Sequence, residues 1–331
     1  MTFKKWTIGI DVGGTKIETA LVNADGTILF RSKTHTKAKD GLDAIIHQIG
    51  KVIQDLQKQT SDSIAGIGIG IPGQIDPASA TILSTPNLPF KNTPLKKRLE
   101  SFTSLPIYID NDVRTATRGE WIFGAGKGCA NFVCMFLGTG VGGGIVINNQ
   151  IFSGNSYTAG EIGHMTVELN GPLCTCGNYG CVEAFSGGWA ISKRAQTKLK
   201  KHGKLTPLLE LAQGNVDKID AALVFEAMKL HDPIAIEVVS DAANALSACA
   251  SSIVNALNPK RLIIGGGILS GYPHFLEEIR AGIQTRALAA STQRLEVVAT
   301  ATQGNASLLG AAVLVLESQF PNLIHEEKIK C

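Results

Sequence analysis

Apolar and polar positions alternate with period two at the start of the chain and then recur at every third or fourth residue, and each switch marks a new element. Alternation over Thr7–Asp11, Ile17–Val22 and Thr27–Thr34 predicts three strands. Polar turns separate them at Val12-Gly13-Gly14-Thr15 and Asn23-Ala24-Asp25-Gly26. Ile45, Ile46, Ile49, Ile53 and Leu56 then fall at helical spacing and predict a helix over Leu42–Gln57. Ile64–Ile71, where glycines alternate with isoleucines, predicts a buried strand. A further strand over Ile107–Ile109 ends in Asp110-Asn111-Asp112 and enters a helix over Val113–Phe123.

The plan then restarts. Phe132–Leu137 predicts a strand, Gly138 to Gly144 a glycine-rich turn, Ile145–Ile147 a strand, Asn148-Asn149-Gln150 a polar turn, and Ile151-Phe152 the start of another strand. Helices follow over Trp189–Lys200, Leu205–Gln213, Asp217–Lys229 and Ile234–Leu257. The strand Arg261–Ile264, three glycines at 265–267, a helix over Phe275–Arg286, the strand Leu295–Ala299 and a helix over Asn305–Ser318 complete the pattern. Both halves open as strand, glycine loop, strand, polar turn, strand. This predicts an α/β chain of two related domains with a cleft between them. The expected N-terminal domain is 1–123, completed by the C-terminal helix at about 304–320. The larger second domain is 124–303, and 321–331 is a polar tail.

Composition narrows the function classes. With 331 residues and 44% hydrophobic content the chain can bury substantial cores. Charged residues make up 18% and the net charge is +3, so bulk electrostatics give no basis for nucleic-acid binding. The short basic runs Lys96-Lys97-Arg98 and Lys198-Leu199-Lys200-Lys201 read as solvated helix faces. No stretch is expected to reach the length of a membrane span, and residues 1–6 lead straight into a strand rather than forming a signal peptide. Of the seven cysteines, Cys129, Cys134, Cys249 and Cys331 outline no disulfide framework, which fits a reducing cytoplasm.

The other three stand in the stretch HMTVELNGPLCTCGNYGC. His164, Cys174, Cys176 and Cys181 offer one imidazole and three thiolates, a standard tetrahedral set for a soft divalent metal, with zinc foremost. Gly177 and Gly180 let the backbone fold two thiolates back toward the third. A cluster of buried free cysteines is the plain alternative, and glycines inside the cluster argue against it. Two carboxylates flank the knuckle, Glu161 and Glu183. With His164 they read as a set for vicinal hydroxyls, or else as support for the metal or as ordinary surface acids.

Three glycine loops carry the other chemistry. Asp11-Val12-Gly13-Gly14-Thr15-Lys16 joins an acid, unshielded amides, a hydroxyl and a cation, which suits phosphate, although a plain hairpin turn has the same outline. It links two strands, so neither the P-loop nor the dinucleotide fingerprint fits. Gly138 to Gly144 has five glycines in seven residues, more than a hairpin needs, and suggests a ligand against the backbone. Gly265-Gly266-Gly267 follows a strand and would admit a phosphate or a flat ring. Together the loops describe a nucleoside triphosphate site. Asn111-Asp112, at a strand end and a helix start, is the catalytic candidate; the alternative is that Asp112 only caps the helix.

Carrying these readings together are Asp11 to Lys16, Gly70-Ile71-Pro72-Gly73, Asn87-Leu88-Pro89, Asn111-Asp112, Gly138 to Gly144, Gly160-Glu161-Ile162-Gly163-His164, and Cys174 to Glu183. With them the chain resembles the ROK family of sugar kinases and repressors, in the actin-like ATPase superfamily, over about residues 7–312. The resemblance implies two actin/RNase H-like α/β domains flanking a cleft, with a zinc-binding insertion in the second. It implies an ATP-dependent hexose kinase using Mg²⁺, with Asp112 as general base toward a sugar hydroxyl, usually the 6-hydroxyl. Asn111, Glu161, His164 and Glu183, with Gly73 and Asn87 as neighbours, would bind the sugar. Asp11 would lie near magnesium. Gly13, Gly14, Thr15 and Lys16, with Gly138, Thr139, Gly140, Gly142 and Gly143, would lie near the phosphates, and Gly265, Gly266 and Gly267 near base and ribose. His164, Cys174, Cys176 and Cys181 would hold a structural zinc with no open position for chemistry. The partners so implied are a hexose and ATP, with no nucleic acid or membrane, in a cytoplasmic homo-oligomer, a dimer.

Glucose is the first expected sugar, with N-acetylglucosamine, N-acetylmannosamine and other hexoses as alternatives, since these differ by one or two groups. The family's fructose kinases usually have glutamate and alanine where Asp11 and Val12 stand. The family's repressors carry a helix-turn-helix domain ahead of the first loop; only ten residues precede Asp11 here, and the Asp11–Lys16 loop keeps the kinase pattern.

Overall fold

The computed structural model describes residues 5–202 and 205–321. The expected polar tail lies outside the described residues apart from Pro321, and so does Cys331. The chain divides into two compact units. Unit 1 takes the described residues of Met1–Asn131, Gly144–Ala159 and Thr300–Cys331; unit 2 takes those of Phe132–Gly143 and Gly160–Ala299.

In unit 1, β1 (Trp6–Val12), β2 (Lys16–Val22) and β3 (Ile28–His35) form an antiparallel run. Helix α1 (Leu42–Gln57) leads to β4 (Ile64–Ile71), which pairs parallel with β1. A small three-stranded sheet follows: β5 (Gln74–Asp76), β6 (Thr81–Ser84) and β7 (Lys91–Thr93). Sequence periodicity gave no sign of it, because strands of three or four residues carry too little alternation. Helix α2 (Leu95–Leu99) and β8 (Ile107–Asn111) come next, and the main sheet closes in the order β3-β2-β1-β4-β8. Helix α3 (Asp112–Phe123) starts at once after β8.

The alternation of Ile and Gly in β1 and β4 has a direct cause. Ile8, Ile10, Ile67, Ile69 and Ile71 point to one face and pack with Ile45, Ile49, Ile53 and Leu56 of α1 in one apolar core. Each such side chain contributes about 1.5–3 kcal/mol of transfer free energy. The glycines point to the other face, where the backbone of the C-terminal helix α12 (Ala306–Gln319) covers Gly9 and Gly68. A β-carbon at Gly9 would overlap the Leu308 carbonyl oxygen, and one at Gly68 the Ala311 carbonyl oxygen. Helix α12 meets α3 equally closely, since Gly119 lies against the Ala306 carbonyl and Gly310 against that of Thr115.

Then come β9 (Phe132–Leu137), β10 (Val141–Ile147) and β11 (Gln150–Ile151). The expected turn over 138–144 is therefore shorter, and Val141 to Gly144 belong to a strand. Two of its glycines are small for packing: a β-carbon would overlap Ile162 at Gly143 and Thr117 at Gly144. After the knuckle run α4 (Glu183–Ser186), α5 (Gly188–His202), α6 (Pro207–Leu211), α7 (Ala221–Lys229) and α8 (Pro233–Leu257). Helix α7 starts later than expected because Asp220 is its N-cap, accepting from Leu223 N at 2.9 Å, and Val216–Lys218 is a separate 3₁₀ turn. Helix α6 is likewise shortened by the cap at Thr206. The chain ends with β12 (Arg261–Gly265), α9 (Gly267–Gly271), α10 (Phe275–Arg286), α11 (Ala289–Thr292), β13 (Glu296–Ala299) and α12 (Ala306–Gln319). The second sheet has the order β11-β10-β9-β12-β13.

The expectation that no stretch reaches the length of a membrane span needs correction. Helix α8 has 25 residues and a mean hydropathy of 1.2, enough by length and composition. Its most apolar window is 67% buried within the protein, and α4, α5, α7 and α10 pack around it, so it serves as a core helix.

Gly68→Ala is expected to lower stability by at least about 2–3 kcal/mol, because neither backbone can yield without parting α12 from the sheet. Gly271→Ala, where a β-carbon meets nothing within 4 Å, is the control and should be neutral or slightly stabilising. Urea unfolding of both variants checks this.

Candidate functional site

In unit 1 the junction of β8 and α3 sorts three adjacent polar residues into different tasks. Asn111 is the N-cap: its Oδ1 accepts from Val113 N at 3.0 Å and Arg114 N at 3.2 Å. Its Nδ2 donates to the Gly73 carbonyl at 3.2 Å. Gly73 has φ +103°, a conformation that favours glycine, and a side chain there would overlap the Ser84 carbonyl. Asp110 is taken up by ion pairs. Arg114 reaches its Oδ1 through Nε at 2.8 Å and Nη2 at 2.5 Å, and Arg118 reaches Oδ2 at 2.5 Å while also pairing with Glu317 at 2.8 Å. Burial acts to raise the Asp110 pKa, but the Arg118 and Arg114 guanidiniums outweigh it and hold the carboxyl below its ordinary range. Asp112 is the first residue of α3, half-buried, with Oδ1 accepting from Val113 N at 2.9 Å. The cap that Asp112 could have supplied is thus made by Asn111.

Asp11, at the end of β1, has its pKa raised from 3.8 to about 7. Burial is the main cause, followed by repulsion from Asp112 and then Glu18, with Lys16 opposing. The loop beyond it is a tight hairpin closed by Gly13 N–H to the Lys16 carbonyl at 2.8 Å, and Thr36 Oγ1 donates to the Gly13 carbonyl at 2.7 Å. The Lys16 ammonium turns to Glu18, which Arg31 and Lys33 also approach. Gly14 faces Asn87, whose β-carbon would lie 3.3 Å from one added at Gly14. The fold therefore brings Asp11 near Asp112, Gly14 near Asn87, and Gly73 against Asn111.

In unit 2 a 3₁₀ turn over Ile162–His164 starts beyond the exposed Glu161. Bridges Thr166↔Cys181 and Leu173↔Tyr179 fold the knuckle, and Gly177 and Gly180 take φ of +90° and +70°. The ligand atoms of His164, Cys174, Cys176 and Cys181 all lie within 4.8 Å of one another. Cys174 Sγ is 3.7 Å from His164 Nδ1, and Cys176 Sγ is 3.7 Å from Cys181 Sγ. A tetrahedron with metal–sulfur bonds of about 2.3 Å has edges of about 3.8 Å, so the set fits a tetrahedral soft cation. A cluster of buried core cysteines does not describe it, since Cys176 is exposed. Burial pushes the Cys181 thiol up to about 12, with Cys176 and Cys174 adding to the effect.

Glu183 starts α4, two residues past Cys181. Its Oε2 accepts from Val141 N at 2.9 Å, and its Oε1 from Trp189 Nε1 at 3.2 Å. A side chain at Gly140 would overlap this carboxylate. The shortened loop Gly138-Thr139-Gly140 also meets the start of α5, where Gly188 N donates to the Gly138 carbonyl at 2.9 Å and Trp189 N to that of Thr139 at 3.2 Å. Gly138 itself has open space around it. At the third loop, Gly266 has φ +100° and lies against the Leu137 carbonyl, while Gly267 has nothing within 4 Å of a β-carbon.

Residues 7–318 match the model of the ROK family. The chain belongs to the ROK family. It is 32% identical over 311 residues to a glucokinase from Thermotoga maritima, covering 94% of this chain and 97% of that one. It is 31% identical over 312 residues to a xylose repressor from Caldicellulosiruptor bescii, covering 93% of this chain and 77% of the repressor. Its fold superposes with a TM-score of 0.81 on a ROK family glucokinase from Streptomyces griseus in complex with glucose and AMPPNP, at 33% identity and covering 93% and 98% of the two chains. The fold is thus the mixed α/β fold of ROK kinases.

Several residues that shape this ROK site went unmarked in the sequence. Arg114 and Arg118 stand one turn apart on α3, but their shared partner Asp110 lies in β8, so no spacing within the helix marked the pairing. Trp189 carried no such signal, because its bond to Glu183 depends on the turn between α4 and α5.

The Asp11 shift makes a pH prediction. A carboxyl whose folded pKa lies above its unfolded value binds its proton more tightly when folded, so stability falls as pH rises from 3.8 toward about 7. Asp11→Asn, without added magnesium, should be more stable than wild type at pH 8, by at most about 4 kcal/mol, and unfold at a higher temperature. The advantage should vanish below pH 4. Thermal unfolding at the two pH values decides it.

Proposed function

We propose that this ROK protein is an ATP-dependent hexose kinase that transfers the γ-phosphoryl group of ATP to a sugar hydroxyl, the 6-hydroxyl, with glucose the foremost substrate. The observation that carries the reading is the division of labour at 110–112. Asn111 makes the helix cap and Asp110 pairs with two arginines, while the half-buried Asp112 carboxylate stands at the same strand-to-helix junction near Asp11. Relatives named glucokinase support the same substrate class.

In this reading Asp112 accepts the proton of the hydroxyl while its oxygen bonds to the γ-phosphorus, and the bond from that phosphorus to the β–γ bridging oxygen breaks to release ADP. Asn111 holds the sugar beside Asp112, with Gly73 and Asn87 as neighbours. Glu161, His164 and Glu183 accept and donate to the remaining hydroxyls. His164 turns Nδ1 toward the cysteines, which leaves Nε2–H as a donor to the sugar. The amides of Gly13 to Lys16 and of Gly138 to Gly143 receive phosphate oxygens, and Gly265 to Gly267 lie along the nucleoside. Mg²⁺, when bound, neutralises phosphate charge, and the like-charge crowding at Asp11 marks the carboxylate suited to it. Zinc held by His164, Cys174, Cys176 and Cys181 fixes His164 and the segment that carries Glu183. Dimer assembly and a cytoplasmic location belong to the same proposal; the first rests on family membership, the second on family membership and the cysteine usage.

ADP release measured across glucose, N-acetylglucosamine, N-acetylmannosamine and mannose should show sugar-dependent ATP consumption, strongest with glucose. Asp112→Ala should keep the fold and sugar binding and slow turnover by about 10²–10⁴-fold or more; near-normal turnover would remove Asp112 from the role of base. Elemental analysis of protein purified without chelator should find about one zinc per chain, and Cys176→Ser should lower that content.

A further inference from the structure

Glu120 of α3 is fully buried and has no part in the reaction proposed above. Its carboxylate accepts four hydrogen bonds. Oε2 takes the Ala125 N–H at 2.8 Å and the Ala301 N–H at 3.0 Å; Oε1 takes the Thr302 N–H at 3.1 Å and the Thr302 hydroxyl at 2.5 Å. Its backbone carbonyl accepts from Gly124 and Gly126. Gly124 leaves no room for a side chain: a β-carbon would overlap Glu120 Oε2 and lie 2.8 Å from Thr302 Cγ2.

The two segments gathered by this carboxylate share one property. The chain passes between the units four times, after residues 131, 143, 159 and 299. Ala125 lies shortly before the first passage, and Ala301 and Thr302 directly follow the last. The other two are tied within unit 1 as well. Asn148 N donates to Asn131 Oδ1 and Asn149 N to the Ala130 carbonyl, both at 3.0 Å. Arg114 Nη1 donates at 2.5 Å to the carbonyl of Tyr157, two residues before the third passage. Any change in the relative placement of the units has to be absorbed in these passages.

We propose that Glu120 is a positioning residue that locks the unit 1 ends of the first and last passages to α3, the helix that starts with Asp112. Bending is thereby confined to the few residues between this lock and unit 2, and any movement of unit 2 keeps a fixed reference to Asp112. The link to Asp112 rests on the kinase reading; the lock itself does not.

The test combines hydrogen exchange of the Ala125, Ala301 and Thr302 amides without ligand and steady-state kinetics with glucose and MgATP. Glu120→Gln turns one acceptor oxygen into a donor facing N–H groups. Its exchange at the three amides should rise about tenfold or more, with that of β1 and α12 unchanged. Its kcat and KM should both shift, by about tenfold. Thr302→Val should move both readouts the same way to a smaller extent, and Thr302→Ser should behave as wild type. Unchanged exchange overturns the lock, as does a rise spread over all of unit 1 with a lower Tm. Faster exchange at the three amides with kcat and KM intact reduces Glu120 to a local tie and overturns the positioning role. A wild type that phosphorylates no hexose overturns the kinase reading and the link to Asp112, while the lock stands or falls on exchange alone.

Discussion

Unit 1 depends on one close approach, the backbone of α12 lying on the glycines of β1 and β4. With glycine at positions 9 and 68 the helix comes near enough for its carbonyl oxygens to occupy the space of absent side chains. The same helix then takes α3 on its flank through Gly119 and Gly310. The N-terminus of α3 is where Asn111 and Asp112 stand, so the placement of the proposed base follows from a contact between backbones. Such a contact has no rotamers to adjust, which makes it rigid and intolerant of even one added methyl group.

Charge is distributed with equal economy. Around Asp110 two guanidiniums are matched by two carboxylates, Asp110 itself and Glu317, and the pairing ties α3 to α12. At Asp11 the opposite holds: neighbouring carboxylates crowd a group that burial already disfavours as an anion. In the knuckle three thiols and an imidazole converge within the span of one tetrahedral ion. The first arrangement is complete in itself. The other two are arrangements that could hold a cation, and the proposed kinase would take Mg²⁺ and zinc there.

Much of this could be read from the sequence, and the misreadings have physical causes. The Ile and Gly alternation of 64–71 announced a strand with one bulky and one bare face, and the helix at 42–57 announced the partner of the bulky face. The partner of the bare face lies some 240 residues further on and left no local mark. Glycines in a strand and in a loop look alike, so 138–144 reads as one turn; Ile162 and Thr117, which Gly143 and Gly144 pack against, become visible only in the fold. Asn111 and Asp112 are both competent caps, and no spacing rule separates adjacent residues. Glu120 reads as an ordinary helix surface acid, because Ala301 and Thr302 are more than 180 residues away.

The central claim is that a carboxylate held at the start of α3 directs phosphoryl transfer to a sugar hydroxyl. The most direct measurement is ³¹P NMR of the purified protein with MgATP and glucose. The account predicts a phosphate monoester resonance split by the two protons on C6, growing in step with ADP. A γ-phosphoryl group that stays on ATP with every hexose supplied, or that emerges only as inorganic phosphate, would contradict it.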